Sequence, residues 1–223
     1  MSLPDPREEQ EAAGFVLAGG QSSRMGHDKA LLEFAGEPLI LRALKTLREA
    51  GLQPAIAGAR SSLSRFASVI EDAANAQGKG PLSGVCAALC ATTAEYAVFL
   101  PVDLPFIPPS LIRYLLFHAR VTESLISIFS VSGVPQTFPA VIDRRALHFL
   151  EGQLRSEERG CLSSFRLAAK SLERHFSLLQ IEMLVQAGQV AHPASMPPAF
   201  WYLNLNSPQD FRQAEKLATG IFG

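Results

Sequence analysis

The stretch that most constrains the fold is a short apolar run that ends in two glycines. Residues 13–18 (AGFVLA) are followed directly by Gly19 and Gly20. A run of this length that stops at glycines is typical of a buried β-strand. Past the glycines, Arg24 and Lys29 stand five residues apart before the chain turns apolar again. The pattern therefore predicts a buried first strand and, after it, a loop whose backbone and cations can bind an anion.

Strand and helix patterns alternate through the first half of the chain, which predicts right-handed βαβ units and a mostly parallel sheet flanked by helices. The second half is less regular, and its segment 177–184 fits both a strand and a helix. The C-terminal segment 201–218 predicts a strand, a helix cap and a helix, with Ser207 at the N-cap, Pro208 at the first helical position and Asp210 at the third. Strand patterns lie at 13–18, 54–59, 68–72, 96–103, 123–131 and 136–142, and helix patterns at 38–51, 85–91, 110–119, 144–152 and 162–172.

No linker or repeat divides the chain, so we expect an α/β fold in a single domain over residues 13–223. The polar, acidic residues 1–12 are expected to form a disordered N-terminal tail. They lack the apolar core of a signal peptide, which predicts a cytoplasmic protein.

Composition excludes several functional classes. The chain has 223 residues, 48 % of them hydrophobic, and a formal net charge of −1. It therefore has no global basic field, and we expect neither nucleic acid nor a membrane surface as a partner. No apolar run approaches about 18 residues, so no membrane span is predicted. Any phosphate binding must be local.

Known phosphate loops do not fit the glycine-rich stretch. Gly26 is followed by His-Asp-Lys where the Walker pattern requires Lys-Ser/Thr, and Gly19, Gly20 and Gly26 miss the spacing of the dinucleotide fingerprint. Arg24 nevertheless offers a bidentate fork for phosphate oxygens, and Lys29 offers a point charge. The stretch is interpreted as a phosphate loop of another kind.

Two aspartates follow predicted strands. Asp103 ends the strongest strand pattern between prolines, in PVDLPFIPP, where an Mg²⁺ ligand and a simple turn cap fit equally well. Asp72 ends the strand at 68–72 and precedes GKGPLSG (78–84), a loop that could wall a nucleotide pocket. Because ligands bind outside the carboxyl ends of parallel strands, both aspartates are candidates for the same site as the glycine-rich stretch.

The stretch LAGGQSSRMGHDKALL closely resembles the signature of the molybdenum cofactor guanylyltransferases, the MobA family. The similarity continues through VIED, GKGPLSGVCAAL, PVDLPFIPPSLI, FPAVI and NLNSPQDF in the order of that family. It covers nearly the whole chain from about Ala13 and is weakest between Leu172 and Pro198. Leu-Ala-Gly-Gly, rather than Leu-Ala-Ala-Gly, favours the guanylyl members over their cytidylyl relatives.

The resemblance implies a Rossmann-like nucleotidyltransferase fold and transfer of GMP from GTP to molybdopterin-bound molybdenum cofactor. It assigns site residues position by position: backbone contacts to the guanine nucleotide at Leu17, Ala18 and Gly19 beside Gly20, phosphate binding by Lys29 with Arg24, a nucleotide contact at Asp72, the Mg²⁺ ligand at Asp103, and a pterin-facing pair at Asn204 and Asn206. A second metal contact at Asn206 is left open. The predicted catalytic residues are Arg24, Lys29 and Asp103.

One position departs from the family. Several members carry an asparagine after the second strand that contacts the nucleotide, whereas this chain reads AIAGAR, with Ala57 or Gly58 as the nearest equivalent. The resemblance implies that this contact is absent or supplied by backbone.

Alternative functions are a related nucleotidyltransferase that uses CTP or another phosphate acceptor, and a non-catalytic nucleotide-binding adaptor. The expected partners are GTP and molybdenum cofactor as substrates, Mg²⁺ as cofactor, and transient contacts with other cofactor-biosynthesis proteins or molybdoenzyme chaperones.

Overall fold

A strand near the N-terminus, β1 (Ala12–Leu17), lies at the centre of a seven-stranded sheet in the computed structural model, which describes residues 11–19, 28–58, 61–72, 80–155 and 160–222. The sheet order is β5-β4-β1-β6-β8-β7-β9. The strands are β2 (Glu33–Phe34), β3 (Glu37–Pro38), β4 (Pro54–Ala57), β5 (Val69–Ile70), β6 (Tyr96–Pro101), β7 (Ile126–Val131), β8 (Val134–Asp143) and β9 (Phe176–Gln180). The helices are α1 (Leu39–Glu49), α2 (Pro81–Ala91), α3 (Pro109–Val121), α4 (Leu147–Arg155), α5 (Cys161–Ser171), α6 (Ile181–Gln186), α7 (Pro198–Trp201) and α8 (Pro208–Phe222).

The sheet is mostly parallel, as the alternating patterns predict. β1 pairs in parallel with β4 and β6, β4 with β5, and β7 with β9. Only β8 among these seven strands runs antiparallel, between β6 and β7. It can do so because a two-residue turn with positive φ at Ser132 and Gly133 reverses the chain directly after β7. β2 and β3 form a separate hairpin.

Each face of the sheet carries its own apolar cluster. In β1, Val16 packs into a cluster with residues of α1, α3 and the C-terminal helices, whereas Phe15 and Leu17 pack into a second cluster with residues of α2, α4 and α5. The alternation follows the two-residue period of a strand, which sends successive side chains to opposite faces. This three-layer arrangement confirms the predicted α/β fold. Within the described ranges, no helix is long and apolar enough to span a membrane.

Two C-terminal segments differ from the sequence expectation. The ambiguous segment 177–184 contains both elements, because β9 ends at Gln180 and α6 begins at Ile181. The strand predicted from Trp201 onward is wrong. Trp201 ends the short helix α7, where its indole N–H donates to the carbonyl of Met196, and the chain then runs irregularly. Trp201, at the end of α7, and Leu205, in the irregular chain after it, both bury their side chains without forming a strand.

Candidate functional site

The carboxyl ends of the central strands meet at one edge of the sheet. There the backbone N–H of Val102 donates to Leu17 O at 3.0 Å, and that of Ala18 donates to Ala57 O at 3.1 Å. These bonds align the segments that follow β1, β4 and β6. Ligands of open α/β sheets bind in the crevice beyond such an edge, so a ligand site is expected here.

Three glycines pack backbone against backbone at this edge. A Cβ on Gly19 would stand 2.2 Å from the carbonyl oxygen of Gly58, which is closer than any real contact. Gly58 has φ of +72°, and a Cβ on Gly84 would lie 3.4 Å from the Gly58 Cα. The sequence suggested that glycine follows β1 so that a ligand can approach the backbone. In the structure, contact with Gly58 already requires glycine at position 19.

Asp72 lies beside this glycine cluster, and one of its oxygens has no partner in the part of the chain that the structure describes. Ser83 Oγ lies 2.8 Å from Asp72 Oδ2, to which it donates, and 2.7 Å from the carbonyl oxygen of Gly80. Asp72 Oδ1 is buried and has no hydrogen-bond partner among the described residues. Burial raises the pKa of the Asp72 carboxyl, and the bond from Ser83 opposes that rise. The arrangement leaves a buried acceptor that a ligand donor can satisfy.

Lys29, Asp103 and Asn206 meet although they are far apart in sequence. Lys29 Nζ lies 2.7 Å from Asp103 Oδ2 and 2.6 Å from Asn206 Oδ1. The side chains of Lys29 and Asp103 are each only 19 % exposed. Asp28 caps the 3-10 turn that begins at Lys29 by accepting from the N–H of Ala30, which fixes the base of the lysine. The ammonium is thus a cation held between two oxygens at the end of β6.

Asn206 reaches the lysine because two contacts hold its loop. The N–H of Leu205 donates to the carbonyl of Asp103 at 3.1 Å, and the Leu205 side chain is fully buried. Asn204 is exposed and supplies its carbonyl oxygen to the N–H of Asn206 at 3.2 Å. The structure therefore brings Asn206 to the site through its side chain, whereas the described contact of Asn204 is through backbone.

The predicted helix cap after this loop is confirmed. Asp210 Oδ2 accepts from the N–H of Asn206 at 2.9 Å and from that of Ser207 at 2.7 Å, while Ser207 Oγ accepts from the N–H of Asp210 at 3.2 Å. The hydrogen bond with Ser207 is the main factor that lowers the pKa of Asp210, and Lys29 adds to it through charge. The role of Asp210 beside the site was not apparent from sequence, which marked it only as a helix-start residue.

Three predicted contacts cannot be assigned to a described side chain. Gly20 and Arg24 lie outside the described residues. At the position of the family's asparagine, Ala57 is fully buried in β4 and Gly58 has no side chain. Neither can replace the side-chain contact. Ser83 is a site residue that sequence reasoning missed, although its place in the first turn of α2, directly after the glycine-rich loop, was a usable signal.

The donor set at the end of β6 fits magnesium. Asp103 and Asn206 present hard oxygen atoms that converge on one cation, the Lys29 ammonium. Magnesium commonly takes one or two protein carboxylates and completes its shell with substrate phosphates and water. Over the ranges that the structure describes, no group of three or more His, Cys, Asp or Glu side chains could hold a metal. These residues suit an ion that arrives with a phosphate ligand better than one held by a protein cage.

The chain is similar in sequence to a known family and to named proteins. Residues 14–175 match the family model described as "MobA-like NTP transferase domain". The chain is 30 % identical over 216 residues to a Pelotomaculum thermopropionicum protein named "Probable molybdenum cofactor guanylyltransferase", covering 93 % of this chain and 94 % of the relative. A Haloferax mediterranei protein of the same name is 30 % identical over 207 residues, covering 90 % of this chain and 91 % of the relative.

A solved structure shares the fold. The crystal structure of molybdopterin-guanine dinucleotide biosynthesis protein A from Archaeoglobus fulgidus aligns with a TM-score of 0.74 and 21 % identity, covering 93 % of this chain and 98 % of that one. At that identity the likeness shows the fold alone. The family match and the two relatives go further, and the chain belongs to the MobA-like NTP transferase family.

Proposed function

We propose that this chain transfers GMP from GTP to molybdopterin-bound molybdenum cofactor, releasing pyrophosphate and forming the guanine dinucleotide form of the cofactor. Family membership and the names of the two relatives support the reaction class. The observation that carries the proposal is the convergence of Lys29, Asp103 and Asn206 at the carboxyl edge of the sheet.

The chemistry needs positioning more than proton transfer. An oxygen of the pterin's terminal phosphate attacks the α-phosphorus of GTP, and a new P–O bond forms there. The bond from the α-phosphorus to the oxygen that bridges to the β-phosphate breaks, and pyrophosphate leaves with that electron pair. A phosphate nucleophile is already ionised near neutral pH, so no side-chain base is required. The protein's contribution is to align the two phosphates and to neutralise charge.

Lys29 lies at what we call the phosphate end of the site, the part formed by Lys29, Asp103 and Asn206. Its ammonium is proposed to leave Asp103 and Asn206 and to bind the triphosphate, together with Arg24. Asp103, with Asn206 as a second oxygen ligand, would hold Mg²⁺ there. When bound, the ion would supply charge stabilisation on the transferring phosphate.

Asp72 is proposed to favour guanine at the other end of the site. Its buried Oδ1 has no hydrogen-bond partner among the residues with described structure, and a donor there would stabilise it. The Watson–Crick edge of guanine offers two donors, N1–H and the N2 amine. Cytosine offers one amine beside two acceptors that a carboxylate would repel. The proposed base preference therefore comes from an acceptor that the fold already holds in place through Ser83.

Asn206 and Asn204 are proposed to face the pterin acceptor, because they lie on the loop whose Leu205 N–H binds the carbonyl of Asp103. We also propose that this protein acts in the cytoplasm. There it would make transient contacts with other cofactor-biosynthesis proteins or molybdoenzyme chaperones.

A nucleotide panel tests the proposal. The purified protein is incubated with Mg²⁺, molybdenum cofactor and GTP, CTP or ATP, while pyrophosphate release and dinucleotide product are measured. Thermal shift with each nucleotide is the parallel binding measurement, since a ligand of the folded state raises Tm. We expect product and the largest shift with GTP. A CTP-selective profile would indicate a cytidylyl enzyme, and a GTP shift without pyrophosphate release would indicate an adaptor.

A further inference from the structure

We propose that Asp210 is a positioning residue for this transfer: it anchors the backbone of Asn206, so that the Asn206 amide oxygen faces the Lys29 ammonium in the ligand-free protein and the proposed Mg²⁺ when GTP is bound. The inference rests on the proposed function for its catalytic consequence. Its structural basis is a set of hydrogen bonds that link the start of α8 to the end of β6.

A helix cap explains only part of what Asp210 does. In a capping box, the N-cap hydroxyl accepts from the N–H at the third helical position, and the side chain there returns a bond to the N-cap N–H. Ser207 and Asp210 make both of these bonds. Asp210 Oδ2 also accepts from the N–H of Asn206 at 2.9 Å, one residue before the cap. That additional bond is not needed to begin the helix, and it falls on the residue that contacts Lys29.

The additional bond closes a chain of contacts. Asn206 is held at its own N–H by Asp210, and the neighbouring Leu205 is held by the carbonyl of Asp103. From this anchored backbone the Asn206 side chain reaches 2.6 Å from Lys29 Nζ, which also contacts Asp103. Asn206 itself is exposed, so packing does not hold it in place. Its orientation therefore depends on its hydrogen bonds.

Loss of the anchor is expected to act on the reaction through Asn206. Misplacing a group at a reacting phosphate by about 1 Å can cost on the order of a hundredfold in rate. We expect Asp210→Ala to lower kcat/KM for GMP transfer by roughly tenfold or more, since Asn206 then samples other orientations. Asp210→Asn keeps an acceptor oxygen for the same two N–H groups and is expected to restore most of the activity.

Ser207→Ala is the matched control. It removes the Ser207 Oγ bond and weakens the same helix start, but leaves the carboxylate of Asp210 on the Asn206 N–H. Activity of this variant is expected to stay within about twofold of the wild type, as a capping loss of about 1 kcal/mol acts on stability and not on the site.

A double-mutant cycle tests the route. If Asp210 acts through Asn206, Asp210→Ala added to Asn206→Ala changes kcat/KM by no more than about twofold, because coupled sites are not additive. Equal losses in Asp210→Ala and Ser207→Ala, or a double variant that shows the product of the two single losses, would overturn the positioning role.

Amide hydrogen exchange supplies a measurement that does not need the reaction. The Asn206 N–H is expected to exchange about tenfold faster or more in Asp210→Ala and to stay protected in Ser207→Ala. Only the first variant removes the 2.9 Å acceptor and leaves the N–H with its longer 3.2 Å contact to the Asn204 carbonyl. Unchanged exchange in Asp210→Ala would overturn the anchor. A wild-type protein that makes no product from GTP would instead refute the proposed function, and exchange would still decide the anchor.

Discussion

The two ends of the candidate site differ in how their charges are satisfied. At the proposed phosphate end, the Lys29 ammonium lies 2.7 Å from Asp103 Oδ2 and 2.6 Å from Asn206 Oδ1, and it donates to both. At the base end, Asp72 has one oxygen bound by Ser83 and one buried oxygen without a partner within the described residues. A nucleotide that binds as proposed opens existing contacts at the first end, whereas at the second it supplies a donor to a buried oxygen. Affinity and base choice are therefore expected to depend on different ends.

The largest loss of GMP transfer is expected for Asp103→Ala, at the phosphate end of the site. Removing the carboxylate takes away the proposed Mg²⁺ ligand and the counter-charge of Lys29. Electrostatic groups at reacting centres are worth about a hundredfold to a thousandfold in kcat, so GMP transfer should fall by that amount. The measurement is steady-state pyrophosphate release, with circular dichroism to establish folding. Near-normal transfer by the folded variant would refute the assigned role.

Lys29→Met separates the two functions of the phosphate end. Transfer should fall by roughly tenfold to a hundredfold, because hydrogen bonds to charged groups contribute about 1.5–3 kcal/mol. The same variant should bind Mn²⁺ more tightly in the absence of nucleotide, since the oxygens of Asp103 and Asn206 lose their internal cation. Electron paramagnetic resonance titration measures that binding. Weaker Mn²⁺ binding than in the wild type would contradict competition between the lysine and the metal.

Gly19→Ala tests the backbone packing between the two ends. The added Cβ would meet the Gly58 carbonyl at 2.2 Å, and overpacking of this kind typically costs about 1–3 kcal/mol of unfolding free energy. Gly152→Ala is the control: it lies in α4 with open space around its Cβ, and it should stabilise by about 0.5–1 kcal/mol. Chemical denaturation of both variants measures the difference, and equal stabilities would refute the clash.

Asp72→Asn tests whether Asp72 selects the base, and it is expected to change the rate with GTP least of these variants. The GTP-over-CTP preference should fall by about tenfold, within the range of one specific base contact.

Because burial raises the Asp72 pKa in the folded state, the fold binds the proton more tightly than the unfolded chain, and stability is lost as pH rises through that pKa. The neutral variant should therefore have a slightly higher Tm at neutral pH. The difference should vanish in acid that protonates Asp72 in both states.

The sequence predicted the elements that local patterns determine. The apolar runs of β1 and β6 located the sheet edge, and Ser207, Pro208 and Asp210 located the start of α8. The strand predicted from Trp201 onward was wrong, because the buried side chains of Trp201 and Leu205 come from the end of a short helix and from the irregular chain after it.

Contacts between distant segments could not be predicted in the same way. The sequence assigned Lys29, Asp103 and Asn206 to one site, yet nothing in it indicates that the Lys29 ammonium contacts both of the other side chains. The packing of Gly19 on Gly58 and the hydrogen bond of Ser83 to Asp72 likewise depend on the tertiary arrangement of strands and helices. Residue types and motifs indicate the chemistry of a site, whereas its pairings require the fold.

The internal partners of Lys29 have a consequence for the end of the catalytic cycle. A lysine that binds pyrophosphate must give it up before the next GTP can enter. If Lys29 binds pyrophosphate as proposed, Asp103 and Asn206 provide oxygens to which the ammonium can return, so departure of the product does not leave a half-buried charge unpaired. We expect this return to favour product release, which makes the ion pair of the ligand-free protein a contributor to turnover.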